Sequence, residues 1–518
     1  MKLVYIPLDE RPCNVNYPQA IASLQSEIQL KVPPKECLSG KKIAAPIDKL
    51  WQWLEDEIQY CDGAILSIEM LIYGGLLPSR IHQNSVESLL SRVNKIHKLR
   101  EQNPNIFILA SNLIMRSPSY DSSEEEPDYY ADWGASIFRW GWLTDKQSRQ
   151  ELSLSEQLEL EALDRSIPSK NLQDYRQRRL NNRKINQAVI QLVKDGIIDF
   201  LSIPQDDSAE YGFTAMDQRE IYGVIARERL QHKIHVYPGA DEVGCTLLSR
   251  AYVNYCQLNK SPIKIYPLFS STHSETIIPL YEDRPLGESL KAHILAAGGC
   301  LVADPEKADF ILAINTAGQV MQEAWDQNKK DITYSTCRNL RYFSAAIAQC
   351  IQQGKSVAIA DVAFANGGEI ELIEMLDDNG TLDKVVAYAG WNTNCNTLGT
   401  AIATGIFSLN SDNQRAIKIN IIQHLLEDAF YQGVVRSEVI DTYLPTVGAS
   451  YYNFGDREGD IQTAVEERLI QQWRDTILTT FKDVDPYIYQ LEFPWHRMFE
   501  IDLGVRDQRE RPTEIFKE

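Results

Sequence analysis

Short runs rich in Val, Ile and Leu recur along this chain, each followed by a polar or glycine-bearing loop and then by a longer stretch of helical periodicity. That alternation is the signature of βα units, and it restricts the chain to the architectures that parallel strands allow. Strands are expected near residues 3–8, 64–68, 106–110, 200–203, 234–237, 263–268, 310–314, 357–360 and 385–388, with helices near 86–100, 180–194, 217–229, 286–297 and 340–352.

A length of 518 residues exceeds what one hydrophobic core usually organises. We read residues 1–261 as a catalytic (β/α) part, 262–410 as its continuation or a second α/β domain, and 411–518 as a C-terminal helical and β appendage. The fold class is therefore α/β, either a TIM-like parallel barrel or a doubly wound sheet. Residues 115–180 form a long connection carrying SSEEEPDYYADWGASIFRWGW, and connections of that size are usually functional or mobile.

A net charge of -20, with no clustered Lys and Arg in the loops, argues against nucleic acid and anionic membrane as partners. No apolar stretch is long enough to span a membrane, and MKLVYIPLDERPCN leaves no room for a signal peptide. The nine cysteines are scattered and never form CxxC, which reads as reduced thiols in a cytoplasm. The eight histidines are dispersed without HExxH, so no metal is expected. YGGLLPSR lacks both GxGxxG and a GK[ST] ending; it reads as a tight turn with glycines at positive φ, and no cofactor is expected. A homo-oligomer is left open.

Ligands of parallel α/β proteins bind at the carboxyl ends of the strands. The residues there include Asp9 and Arg11, Glu69, Arg116, Asp206 and Asp207, Asp241 and Glu242, and Trp391 and Asn392. Carboxylates, amides, guanidiniums and an indole at successive strand ends suit a small carbohydrate, whose hydroxyls need donor and acceptor pairs and whose apolar face lies on an aromatic ring. Asp and Asn after a strand are also common helix N-caps, so capping stands beside binding for many of these positions.

Asp206 and Asp207 stand out because adjacent carboxylates in one pocket repel, leaving one protonated near neutrality. Adjacent residues do not easily straddle a sugar ring, which disfavours the ordinary two-carboxylate glycosidase geometry. They fit a substrate-assisted variant, in which the sugar's own 2-acetamido oxygen attacks the anomeric carbon. The alternatives are an N-cap with a solvated neighbour, or a divalent-metal set completed by Asp9 and Asp241.

The consecutive pair after the fourth strand is similar to the pattern of hexosaminidase-type glycoside hydrolases. That resemblance implies that Asp206 polarises the acetamido group and that Asp207 is the general acid/base. IPLDERPCN, GGLLPSR, IPQDDSAEYG, YPGADEVG, AYAGWNTNCNTLG and FPWHRMFE together make the chain resemble the bacterial domain of unknown function 4127 family along nearly its full length. That second resemblance implies a cytoplasmic bacterial protein associated with β-N-acetylgalactosaminidases. The expectation is a retaining, exo-acting β-N-acetylhexosaminidase, N-acetylgalactosamine favoured. Its rivals are a non-catalytic sugar-binding or regulatory protein and a metal-assisted hydrolase.

Overall fold

A computed structural model describes residues 1–256 and 261–510. The chain divides into two compact units, the first built from Met1–Glu10, Glu27–Ala251 and Tyr281–Arg284, the second from Arg11–Ser26, Tyr252–Leu280 and Pro285 onward. The parts read from sequence as 262–410 and 411–518 fall in the same unit.

In the first unit β1 (Lys2–Ile6), β2 (Gln29–Lys31), β3 (Gly63–Ser67), β4 (Phe107–Ser111), β5 (Phe200–Gln205) and β6 (Ile234–Pro238) form one sheet in the order β2-β1-β3-β4-β5-β6. All of its pairings are parallel. Both faces of β3 and β4 are buried, which is why these strands show as unbroken apolar runs rather than as alternation.

The second unit supplies β7 (Ile263–Phe269), β8 (Gly299–Leu301), β9 (Phe310–Thr316), β10 (Gln322–Glu323), β11 (Val357–Val362), β12 (Phe364–Ala365), β13 (Ala387–Ala389), β14 (Pro486–Glu492) and β15 (Asp502–Asp507). Its main sheet is parallel, in the order β13-β11-β9-β7-β8, while β14 and β15 pair antiparallel. The helix Asn394–Ser408, buried at every position, packs on β11 and β13.

Both main sheets are open, so the doubly wound arrangement is the one formed and the barrel is not. In each unit the first strand lies between the second and the third, placing the reversal of strand order at β1/β3 and at β7/β9. Crevices at such reversals, beyond the carboxyl ends of the strands, are where open α/β sheets bind ligands. No described helix is long and apolar enough to cross a membrane.

Two helices depart from the sequence reading. The helix Ser169–Lys194 starts well before residue 180, because Tyr175, Arg178 and Arg179 are buried and hide the apolar periodicity of its first turns. In the C-terminal part, where the sequence also reads as one helix around 415–432, the α-helix Gln414–His424 passes into a π-helix, Leu425–Val435.

A π-turn at Glu69–Tyr73 follows β3 directly and ends at Gly74 (φ 90°) and Gly75 (φ 130°), whose N–H groups both donate to the Glu69 carbonyl at 3.1 Å. A Cβ on Gly74 would lie 2.8 Å from the Ala45 backbone nitrogen. Gly74→Ala is therefore expected to lower stability by about 1–3 kcal/mol from backbone strain alone, with the clash adding to it. Gly196→Ala, at φ +75° with open space around it, should cost only about 1 kcal/mol. Guanidinium unfolding of the two variants measures the difference, and equal losses would show that the close approach to Ala45 is unimportant.

Candidate functional site

Asp206 and Asp207 lie just beyond β5, which ends at Gln205. They do not cap the following helix, Phe213–Glu228: Gly212 occupies its cap position, no side chain caps it there, and the Gly212 N–H donates to Asp145 Oδ2 at 3.1 Å. The capping alternative for the pair is thus removed.

Two buried guanidiniums hold the carboxylates. Arg80 Nη2 donates to Asp206 Oδ2 at 2.6 Å, and its Nη1 meets Glu125 at 3.1 Å and Glu126 at 3.5 Å. Arg116 donates to Glu126 and Glu125, each at 2.9 Å, and to Asp207 Oδ2 at 3.3 Å. Four carboxyls therefore face two cations, an imbalance relieved when a carboxyl keeps its proton. Burial raises Glu126, against the pull of Arg116 and Arg80. Burial likewise pushes Asp207 up to about 6, with Arg116 opposing and the charge of Asp206 adding to the rise. Asp207 also sits at φ 43°, a left-handed conformation uncommon for a residue other than glycine.

The backbone around these groups is fixed from one helix. Along Ser169–Lys194, Tyr175, Arg179, Asn182 and Asn186 recur at helical spacing and turn polar atoms toward the β4 end. Arg179 donates to the carbonyls of Arg116 at 2.8 Å and Met115 at 2.7 Å, Tyr175 to that of Arg116 at 3.2 Å, and Asn182 to that of Ser79 at 2.9 Å. Asn186 donates to Asn112 Oδ1 at 2.8 Å, and Asn112 in turn donates to Glu69 Oε1 at 2.7 Å. Each guanidinium is thereby aimed by a chain segment whose carbonyls this helix satisfies.

Glu69 is buried, and its Oε2 has no hydrogen-bond partner. Burial raises this carboxyl to about 7, although the N–H of Leu113 and the amide of Asn112 oppose the rise. With Tyr73, Arg80, Asn112, Asn182 and Asp206 it lines a cavity of about 10 Å³, room for one water molecule. Asp207 is the more open of the adjacent acids, its side chain 34% exposed against 12% for Asp206.

Of the residues singled out from sequence, Glu69, Arg116, Asp206 and Asp207 share this network. Asp9, Asp241 and Glu242 follow β1 and β6 of the same sheet; Asp9 and Glu242 are buried, and Glu242 accepts a hydrogen bond from the Thr246 hydroxyl. Arg11, Trp391 and Asn392 belong to the second unit. Arg11 stacks 4.7 Å over the Trp495 ring and pairs with Glu500 at 3.5 Å, Trp391 is buried edge-on to Tyr17, and Asn392 (φ 69°) accepts from the Thr393 N–H. The sequence reading did not select Arg80, Glu125 or Glu126; the one available signal was a carboxylate run set before Pro127 in an otherwise aromatic segment. Among the described residues no group of three or more His, Cys, Asp or Glu is placed to hold a metal ion.

The second unit repeats the device at its own strand ends. Arg338 pairs with Glu369, and Asn315, at the end of β9, donates to Glu369 at 2.9 Å and to Asp361 at 2.8 Å. Burial is the largest influence on Glu369 and raises it, but the hydrogen bonds and charge of Arg338, with Lys330 and Asn315, together outweigh it and hold the group low, while Asp361 is pushed up to about 7 by burial and by the Glu369 charge.

Because Glu69 ionises at higher pH in the folded chain than in the unfolded one, its contribution to stability is lost as pH rises from about 4.5 to 7. Glu69→Gln should therefore match the parent near pH 4.5 and exceed it at pH 8 by about 3 kcal/mol, the equivalent of the shift from 4.5 to about 7. Urea unfolding at the two pH values tests this; a gain independent of pH would mean that Glu69 is ionised throughout.

No curated protein gives a significant match to the sequence. The family model described as "Protein of unknown function (DUF4127)" matches residues 3–504, and the chain belongs to that family.

Proposed function

We propose that the chain is a glycoside hydrolase that releases terminal β-linked N-acetylhexosamine, N-acetylgalactosamine favoured, with retention and without a cofactor. The observation that carries this reading is the unequal footing of two adjacent carboxyls: Asp206 is paired with Arg80 at 2.6 Å, while Asp207 is raised to about 6. An anion beside a proton donor is what acetamido participation requires. Asp206 would hold and charge-stabilise the acetamido N–H as its carbonyl oxygen closes on the anomeric carbon. Asp207 would protonate the leaving oxygen, then take a proton from the incoming water.

The pocket supports this division of labour. Arg80 and Arg116 fix both carboxyl groups, so little reorganisation accompanies proton transfer, and the exposed edge of Asp207 is the side open to an aglycone. The Asp9, Asp206, Asp207 and Asp241 metal set has no support from the arrangement of the described side chains.

Hydrolysis of nitrophenyl β-N-acetylgalactosaminide, β-N-acetylglucosaminide, β-galactoside and β-glucoside tests the proposal. Only the acetamido sugars should turn over. Asp206→Asn should lower kcat by about 10²–10⁴-fold, and Asp207→Asn should do the same on an alkyl glycoside, whose leaving group needs the acid. The basic limb of the kcat/KM profile, falling above about pH 6, should vanish in Asp207→Asn. Equal cleavage of plain galactoside would refute acetamido participation, and four inert substrates would leave a sugar-binding protein in its place.

A further inference from the structure

We infer that the second unit carries a ligand site of its own, beyond the carboxyl end of β13, which takes a neutral polyhydroxylated ring. It is built from Tyr17, Trp391, Glu427, Asp428, Gln432 and Arg436, all in that unit, and it does not depend on the Asp206 and Asp207 chemistry.

Six polar atoms on these side chains have no hydrogen-bond partner although every residue is at least nine-tenths buried: Tyr17 Oη, Trp391 Nε1, Glu427 Oε2, Asp428 Oδ1, Gln432 Oε1 and Arg436 Nη2. Buried polar groups are nearly always paired, so six orphans in one neighbourhood mark a surface shaped for something else. Their convergence is visible in the contacts. The Tyr17 ring lies 6.2 Å from Trp391 and 4.8 Å from His424, and its hydroxyl faces the Glu427 carboxyl. His424 Nδ1 and the Gly390 N–H hold Asp428 Oδ2 at 2.9 and 2.8 Å, leaving Oδ1 open. Gln432 and Arg436 each donate to the Phe499 carbonyl with one nitrogen, and the Phe499 ring is 6.1 Å from Trp391.

The backbone is unusual at the same place. Glu427, Asp428 and Gln432 lie on the π-helix Leu425–Val435, a winding that is rare and concentrated at functional sites. One helical segment thus carries three of the open acceptors.

The chemistry selects the ligand. Open donors on Trp391 and Arg436 stand with open acceptors on Glu427, Asp428 and Gln432, and aromatic rings lie beside them; a ring of hydroxyls with an apolar face satisfies both needs. A cation would meet the Arg436 guanidinium, and an anion would meet adjacent carboxyls. Burial and the neighbouring Asp428 charge favour the protonated form of Glu427, which suits an uncharged ligand.

The test is titration of the full chain with galactose, N-acetylgalactosamine and glucose, followed by calorimetry and by the indole N–H resonance that Trp391→Phe removes. At least one neutral sugar should shift that resonance. Trp391→Phe and Glu427→Leu should each weaken its binding by at least about tenfold, the loss of one buried hydrogen bond. Asp206→Asn should leave the indole shift unchanged, whatever binding heat it removes at the first unit's own site. An indole resonance that no neutral sugar moves, or one that answers better to inorganic phosphate or glucosamine, overturns the inference; where Trp391→Phe does not fold, the calorimetric affinity of Glu427→Leu for the same sugar carries the test. Binding abolished by Asp206→Asn and indifferent to Trp391→Phe overturns it too, whereas absence of hydrolysis with the indole shift intact counts against the glycosidase reading alone.

Discussion

Two guanidiniums buried among four carboxyls set the conditions under which the first unit works. Arg80 comes from the short helix that follows the Gly74-Gly75 turn, and Arg116 from the segment beyond β4. Their acidic partners come from the loop holding Glu125 and Glu126 and from the end of β5. Segments so far apart in sequence are tied by charge as well as by apolar packing around Met115, Tyr130 and Phe213, and removing one member of the charged group strands the others in a medium that penalises bare charge. Burial raises Asp207 and Glu126 and neighbouring acid charge adds to the rise, while the guanidiniums that fix the loops pull both groups back down. The same cluster therefore both anchors the loops and sets the proton affinity of its acids.

The doubly wound arrangement gives this cluster its place, and it does so twice. In each unit a strand order of second, first, third, fourth, fifth sends every loop after a strand to one edge of a parallel sheet. Each unit then sets an arginine-paired acid near a raised one: Arg80 with Asp206 near Asp207, and Arg338 with Glu369 near Asp361. Strand ends in such sheets are where backbone groups run out of ladder partners while the core behind stays dry, so charge accumulates there and its protonation becomes unequal.

Much of this was legible in the sequence, and the remainder has identifiable causes. Nine strands showed because each is a short apolar run, most of them buried along their length, with β7 more open. β2 is a three-residue edge strand with exposed positions, and such a strand carries little pattern. Asp206 and Asp207 were conspicuous as charges ending an apolar run, but their partners were not, since sequence spacing says nothing of a contact between residues 80 and 206. The early start of the helix Ser169–Lys194 was hidden for a related reason: its inward face carries Tyr175, Arg179, Asn182 and Asn186, so polarity, ordinarily the mark of the outside, here marks the inside. Nor does a sequence show that Asp9 and Arg11, two residues apart, belong to different units, so strand-end position alone does not group them.

The backbone at Asp207 joins these threads. A non-glycine residue in the left-handed region is disfavoured, and Asp tolerates it better than most because its short side chain bonds locally. Here the carboxylate is turned instead toward Arg116, whose own carbonyl is held by Arg179 and Tyr175 from the helix Ser169–Lys194. The strain at Asp207 is thus sustained by an ion pair whose other end is fixed by buried hydrogen bonds. Strain kept in place by so many partners accumulates at sites where one side chain must point in one direction. Relaxing Asp207 into the extended conformation of β5 would break that ion pair and carry the carboxyl away from the Asp206 charge and the surrounding burial that raise its proton affinity. Backbone conformation, ion pair and proton affinity are therefore a single property of this loop.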